Sequence, residues 1–330
     1  MVLFDMPQSE LERYCPDVAE PSDFVDFWVK QLDAARAHPL EARFARVDTL
    51  ARHAEVFDVS FAGYGGDTIK GWLFVPHRLA PSPAAVVEYV GYGGGRGTPL
   101  EWLTFSVAGH VHLVMDTRGQ GHNWRGGDTP DASYDGAPGG GGFLTRGILD
   151  PHRMYYTRLF IDATRAVEAL RAHPATSGLP VVTTGGSQGG GLALAATHLT
   201  LLGGEAVAAT MPDVPFLAHF ARAVRVTAAA PYEEIIRFCK VYPQHTERVF
   251  ANLSYVDVVN HARRTTVPAL FSVGLLDEIT PASTVYAAYN HYAGPKEIKV
   301  YPFNGHEGGG QHHFEVKLAY LDALADRRQG

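Results

Sequence analysis

Residues 180–196 read PVVTTGGSQGGGLALAA. A short β-branched run leads into a serine framed by glycines. Small and apolar residues then follow at helical spacing, with Leu192, Ala195, Ala196 and Leu199 on one stripe. The stretch predicts a strand over 180–184, a tight turn and a helix. Its centre, Gly185-Gly186-Ser187-Gln188-Gly189, matches G-x-S-x-G. That motif places a nucleophilic serine on a strained turn between strand and helix. Glycines two residues before and two after let the strand and the helix approach each other. The serine oxygen then stands above the sheet, at the positive end of the helix. In a chain with 35 glycines the pattern alone is weak. The strand before it and the helix after it set it apart from coincidence.

Outward from this turn the same alternation recurs. Continuous apolar runs at 84–90, 111–115, 206–210, 268–273 and 297–301 predict buried strands. A helix over 153–172 has Tyr156, Phe160, Ala163, Val167 and Leu170 on one stripe, and Phe314, Leu318 and Leu321 mark another near the end. Buried strands alternating with amphipathic helices predict a mostly parallel α/β sheet covered on both faces. Upstream, 55–61 and 69–75 alternate apolar and polar residues around Gly-Tyr-Gly-Gly-Asp and predict an antiparallel hairpin. A helix near 22–37 presents Phe24, Phe27, Trp28 and Leu32, with Ser22 as candidate N-cap. Residues 117–151 have no period, as expected of a functional or lid-like segment. Residues 212–265 read as a helical insertion over the carboxyl edge of the sheet. No linker is evident, so 1–330 is expected to be one domain.

Composition narrows the function. Apolar residues make up 46% and charged residues 19% of the 330 residues, the profile of a soluble globular protein. The net charge of −7 is dispersed and offers no basic face for nucleic acid. No apolar run is long enough to span a bilayer. The N-terminus lacks a signal-peptide pattern, and Cys15 and Cys239 form no CxxC pair. A cytoplasmic protein with free thiols and no metal is expected.

A serine needs a base, and the base needs an acid to orient it. When the nucleophile sits on such a turn, the partners follow in the order Ser, acid, His. The strand at 268–273 ends in Gly274-Leu275-Leu276-Asp277, and the one at 297–301 in Pro302-Phe303-Asn304-Gly305-His306. Asp277 and His306 therefore fall in loops at the carboxyl edge, where ligands bind in open α/β sheets. Glu278 and Glu307 are rival acids and would point elsewhere from the same loops. His312 and His313 are rival bases and fall in or just before the last helix. The oxyanion donors are expected to be the backbone N–H groups of Gln188 and of Tyr92. Tyr92 belongs to Gly91-Tyr92-Gly93-Gly94-Gly95-Arg96-Gly97. That loop fails as a dinucleotide fingerprint, because Arg96 stands where the third glycine is needed. Tyr92, Pro231 and Ile279 are candidate walls of the substrate pocket.

Asp116-Thr117-Arg118-Gly119-Gln120-Gly121, Gly186-Ser187-Gln188-Gly189-Gly190-Gly191 and His306-Glu307-Gly308-Gly309-Gly310 resemble the motifs of the acetyl xylan esterase and cephalosporin C deacetylase family, carbohydrate esterase family 7 of the α/β-hydrolase superfamily. Gly126 to Asp131, Thr145 to Asp150, Asp213 to Leu217 and Tyr289 to Pro295 extend the likeness along nearly the whole chain. The resemblance implies a triad of Ser187, Asp277 and His306 and oxyanion donors at Tyr92 and Gln188. It implies removal of acetyl groups from acetylated xylo-oligosaccharides and cephalosporin C, without a cofactor, and attack by hydrogen peroxide as side chemistry. It implies a homo-hexamer whose inner cavity admits small esters and excludes polymeric xylan. Arg118, Gly119 and Gln120 would hold the loop beside the site. The run Gly136-Ala137-Pro138 followed by Gly139 to Gly142, together with His122, His312 and His313, departs from the family pattern. A general short-chain carboxylesterase or a peptidase is the competing reading. A non-catalytic binding module would normally lack one member of the triad.

Overall fold

Alternation builds the first part of the sheet. In the computed structural model, which describes residues 4–132 and 142–326, β1 (Arg43–Val47), β2 (Ala54–Ala62) and β3 (Thr68–Pro76) pair antiparallel in sequence order. Val56, Val59 and Phe61 of β2 are buried, as are Ile69, Leu73 and Phe74 of β3, so the expected hairpin is present. β1 has no buried residue. Its two arginines suit an edge strand exposed to water, and they hide it from a search for apolar periodicity.

Continuous apolar runs build all of the rest but the last strand, Lys296–Tyr301. That strand, expected to be buried, is instead an edge strand of alternating polar and apolar residues with no buried residue. β4 (Ala85–Tyr89), β5 (Val111–Met115), β6 (Val181–Gly186), β7 (Ala209–Asp213), β8 (Ala269–Gly274) and β9 (Lys296–Tyr301) follow. Among the described residues the nine strands form one sheet in the order β1-β2-β3-β5-β4-β6-β7-β8-β9. β3 meets β5 antiparallel, and all pairings from β5 to β9 are parallel. The apolar run at 206–210 predicts β7 three residues early. The strand instead pairs Ala209 with Val182 and Asp213 with Gly186, so its last residue is polar and its end is invisible to hydrophobicity.

Helices cover both faces. Tyr155–Ala172 and Gln188–Leu202 pack with Phe24–Arg36 into the larger cluster, which takes Ala85, Val87 and Tyr89 from β4. Gly310–Asp326 covers the other face, where Leu321 packs with Val86, Phe105, Val182 and Met211. Phe24, Phe27, Trp28 and Leu32 all point inward. Ser22 is not the cap of that helix. Asp23 holds the position and makes no side-chain capping bond.

The insertion begins later than expected, after β7 ends at Asp213. It carries the helices Phe220–Val226, Glu233–Val241, Thr246–Leu253 and Val258–Ala262. Among the described residues from 117 to 151 there is no helix or strand, only a bridge between Arg125 and Gly94. Gly136 to Gly141, singled out for their composition, lie outside the described residues. No helix of the described residues is long and apolar enough to cross a membrane.

β4 lies between β5 and β6, so the chain leaves β4 toward one side and returns on the other. The loops after these strands diverge at that point and open a crevice at the carboxyl edge. Ser187 and the Gly91–Gly97 loop stand on it.

Candidate active site

The turn at Ser187 has the strain the motif demands. Ser187 adopts φ 58° and ψ −118°, a left-handed φ that non-glycine residues take up only when their surroundings enforce it. Its N–H donates to the Asp213 carbonyl at 2.9 Å, and its carbonyl accepts from Phe216 N–H at 2.9 Å. The flanking glycines are steric requirements. A Cβ on Gly189 would stand 2.1 Å from the Tyr89 carbonyl oxygen, and one on Gly185 2.6 Å from the Gly189 carbonyl carbon.

The structure brings the proposed acid and base together. His306 Nδ1 lies 2.9 Å from Asp277 Oδ2. Asp277 is buried, and its other oxygen accepts the N–H groups of Ile279 and Thr280 at 2.8 and 2.9 Å. The Thr280 hydroxyl adds a bond of 2.7 Å to Oδ2. These donors fix the carboxylate and leave one direction for the imidazole. The rivals lie elsewhere. Glu278 and Glu307 are exposed, and Glu307 accepts from Asn304 and Gly305 within its own loop. Both rival histidines lie within the last helix. His312 is exposed, and His313 is buried against Asp213 and Tyr301.

Ser187 and His306 line the same cleft, of about 560 Å³, with Tyr92, Pro231 and Ile279. All three expected wall residues are therefore at the cleft. Among the described residues no hydrogen bond joins the Ser187 hydroxyl to His306. Such contacts commonly tighten only when substrate is bound. The backbone N–H groups of Tyr92 and Gln188 also find no acceptor among the described residues. Gln188 is the first residue of its helix, where an N–H has no intrahelical partner.

What holds these donors is not visible in any local motif. The Gln120 side chain accepts Gly93 N–H at 2.7 Å and donates to Gln188 Oε1 at 2.9 Å. Gln188 Nε2 donates to the Val90 carbonyl at 3.1 Å. One buried amide pair thus ties the loops after β4, β5 and β6. The Tyr92 hydroxyl donates to Glu234 of the insertion and accepts Phe143 N–H at 2.8 Å. Glu234 also accepts Leu144 N–H at 2.9 Å. Burial pushes both the Tyr92 phenol and the Glu234 carboxyl above their ordinary ranges. Arg118 grips Asp162 at 2.5 and 2.7 Å and Asp67 at 2.9 Å, anchoring the segment that carries Gln120. Only these long-range contacts show what Glu234 does.

Comparison with known proteins agrees in family and fold. The acetyl xylan esterase family model matches residues 1–324. The acetyl xylan esterase from Paenibacillus sp. R4 is 37% identical and superposes with a TM-score of 0.88 over 96% of this chain and 99% of that one. Acetyl xylan esterase 1 from Thermoanaerobacterium sp. JW/SL YS485 is 30% identical, with a TM-score of 0.87 over 97% and 99% of the two chains. Acetyl esterase Axe7A of Xylanibacter ruminicola is 28% identical over 301 residues, 88% of this chain and 64% of that protein. This chain thus spans just under two thirds of the length of that relative. An esterase of Pyrococcus furiosus, 17% identical with a TM-score of 0.55 over 89% of this chain and 98% of that one, shares the fold alone.

Proposed function

This chain belongs to the acetyl xylan esterase family, and on that premise we propose that it removes acetyl groups from small acetylated sugars through an acetyl-serine intermediate. The observation that carries the reading is the Asp277–His306 hydrogen bond of 2.9 Å facing the cleft that Ser187 lines.

Ser187 Oγ attacks the acetyl carbonyl and passes its proton to His306 Nε2. Asp277 holds the opposite nitrogen protonated and stabilises the imidazolium. The oxyanion accepts from the N–H groups of Tyr92 and Gln188. Loss of one such donor costs about 2.7–4 kcal/mol of transition-state stabilisation. The bond to the alcohol then breaks, and His306 returns the proton to the leaving oxygen. Water repeats the sequence on the acetyl-enzyme and releases acetate. Every proton is moved by His306, and the reaction is written without a cofactor. Cephalosporin C, another small acetyl ester, is a second proposed substrate.

The test is hydrolysis of p-nitrophenyl acetate, butyrate and octanoate by wild type and Ser187→Ala. The expected result is turnover confined to acetate and abolished by the substitution. Activity that survives Ser187→Ala would remove the nucleophile. A preference for octanoate would replace the reading with a general carboxylesterase.

A further inference from the structure

β4 shows an anomaly. Residues 84, 86, 88 and 90 point to one face of the sheet, and three of them, Ala84, Val86 and Val90, are buried apolar side chains. The fourth is Glu88. It lines the same cleft as Ser187, and its side chain is 12% exposed. No hydrogen bond reaches its carboxylate from any described residue. His112 Nε2 lies 2.9 Å from Glu88 Oε2, but both ring nitrogens of His112 lack a hydrogen-bond partner. The contact is therefore a close approach off the N–H axis. The carboxylate is half-buried in the cleft and keeps only this off-axis contact, so its oxygens remain able to accept from a ligand.

A second group with unspent capacity lines the cleft beside it. Lys317 projects from the last helix, and its side chain is 1% exposed. Its ammonium donates to Asp213 Oδ2 at 2.5 Å and meets no other acceptor among the described residues. An ammonium has three donors, so two remain. Asp213 itself is spent. Burial opposes its ionisation, but Lys317 and His313 more than offset this and hold its carboxyl below the usual range. Around these groups the cleft is aromatic. Phe314 and Trp102 line it. Trp124, 54% exposed, is held at the mouth by its indole N–H bond of 2.9 Å to the Tyr92 carbonyl.

A cleft that offers an acceptor with no hydrogen bond, a donor with two N–H bonds to spare and aromatic walls has a definite complement. An anion would use Lys317 and be repelled by Glu88, and a cation would meet the reverse. A neutral ring bearing hydroxyls on neighbouring carbons donates to one, accepts from the other and lays its C–H face on the aromatic side chains. We propose that Glu88 and Lys317 form the subsite for the polyhydroxy alcohol of the ester, the part that leaves on acylation. This rests on the esterase reading above and specifies its leaving group.

The test compares kcat/KM for 4-O-acetylxylopyranose, which keeps free hydroxyls on the neighbouring carbons, with that for p-nitrophenyl acetate, whose leaving group lacks neighbouring hydroxyls. The ratio of the two is the readout, in wild type, Glu88→Gln and Lys317→Met, with Tm measured for each. The ratio is expected to fall at least tenfold in each variant, mainly through KM for the sugar ester. An unchanged ratio in folded variants would overturn the subsite. Should either substitution prevent folding, free xylose decides the matter with wild type. It is expected to inhibit p-nitrophenyl acetate hydrolysis competitively where cyclohexanol does not, and equal effects of the two would overturn the subsite. Absence of Ser187-dependent hydrolysis of either ester would instead remove the esterase reading, and the subsite with it.

Discussion

Asp277 is informative because its two oxygens have different duties. Oδ1 accepts two backbone N–H groups, from Ile279 and Thr280, and Oδ2 accepts from the Thr280 hydroxyl and faces His306. In Asp277→Asn the amide oxygen must stay with the backbone donors, so the NH2 group turns toward His306. That presents a donor to Nδ1, which can then only accept. The imidazole proton moves to Nε2, the nitrogen that must take the proton from Ser187. The expected outcome is a fall in kcat of about 10⁴-fold, the size of the effect when a triad carboxylate becomes an amide. Thermal melting should show a folded protein, and p-nitrophenyl acetate hydrolysis reads the rate. A loss under tenfold would mean that another acid orients the base. Glu278, exposed in the neighbouring position, is the control, and Glu278→Gln should retain wild-type turnover.

Between elements, coupling runs through Gln120. It joins the loop after β4 to the first residue of the nucleophile helix by bonds of 2.7 and 2.9 Å. Gln120→Leu would keep the volume, leave Gly93 N–H unpaired at about 1–3 kcal/mol and remove one of the partners of the Gln188 amide, which keeps the Tyr156 hydroxyl and the Val90 carbonyl. The Tyr92 and Gln188 N–H groups would then drift in relation to each other. We expect kcat to fall roughly 10- to 100-fold, below the 10²–10³ of outright donor loss, with KM nearly unchanged. A change confined to KM would show that Gln120 shapes binding instead. This layer was not legible in the sequence, whereas much else was. Ser187, Asp277 and His306 could be placed because each follows a predicted strand at the same edge. Gln120 and Gln188 are 68 residues apart, and Tyr92 and Glu234 are 142 apart. Nothing in the local pattern pairs them. β1 and the end of β7 were missed for the converse reason. Arg43 and Asp213 are polar residues in strands, held there by pairing and not by burial of an apolar side chain. Asp23 stands at the N-cap position expected of Ser22, without a side-chain capping bond, a shift of one residue that composition cannot resolve.

Across the whole molecule, the insertion, the nucleophile helix and the N-terminal helix meet at two buried histidines. His198 of Gln188–Leu202 and His261 of Val258–Ala262 have their Nδ1 atoms 3.0 Å apart, with Phe24 and Trp28 packed on the pair. One ring must donate to the other, so protonation of the acceptor would set N–H against N–H. Burial pushes His198 down from 6.5 to about 3, and holds His261 well below its ordinary value with His198 adding to it. His219 is lowered to about 4, again chiefly by burial. Below pH 6.5 the unfolded chain therefore binds protons that the folded chain refuses. The stability these groups confer is present above 6.5 and is lost as pH falls toward their folded values. Each contributes up to about 1.4 kcal/mol per pH unit. Asp257 opposes them. Burial raises it from 3.8 to about 6 despite N–H bonds from His219, Val259 and Phe220, so between those values the folded chain holds a proton that the unfolded chain releases. The Glu234 carboxyl, also raised by burial, acts in the same sense as Asp257, and two opposing carboxyls against three histidines leave a net loss of stability in acid. Urea unfolding at pH 7.5 and pH 5 should show a lower midpoint at pH 5 with an unchanged slope. His198→Gln keeps a polar partner for His261 and removes one titrating group, so its midpoint should fall by less over the same interval. A midpoint independent of pH, or an equal fall in the variant, would show that the buried pair does not link the three elements to proton uptake.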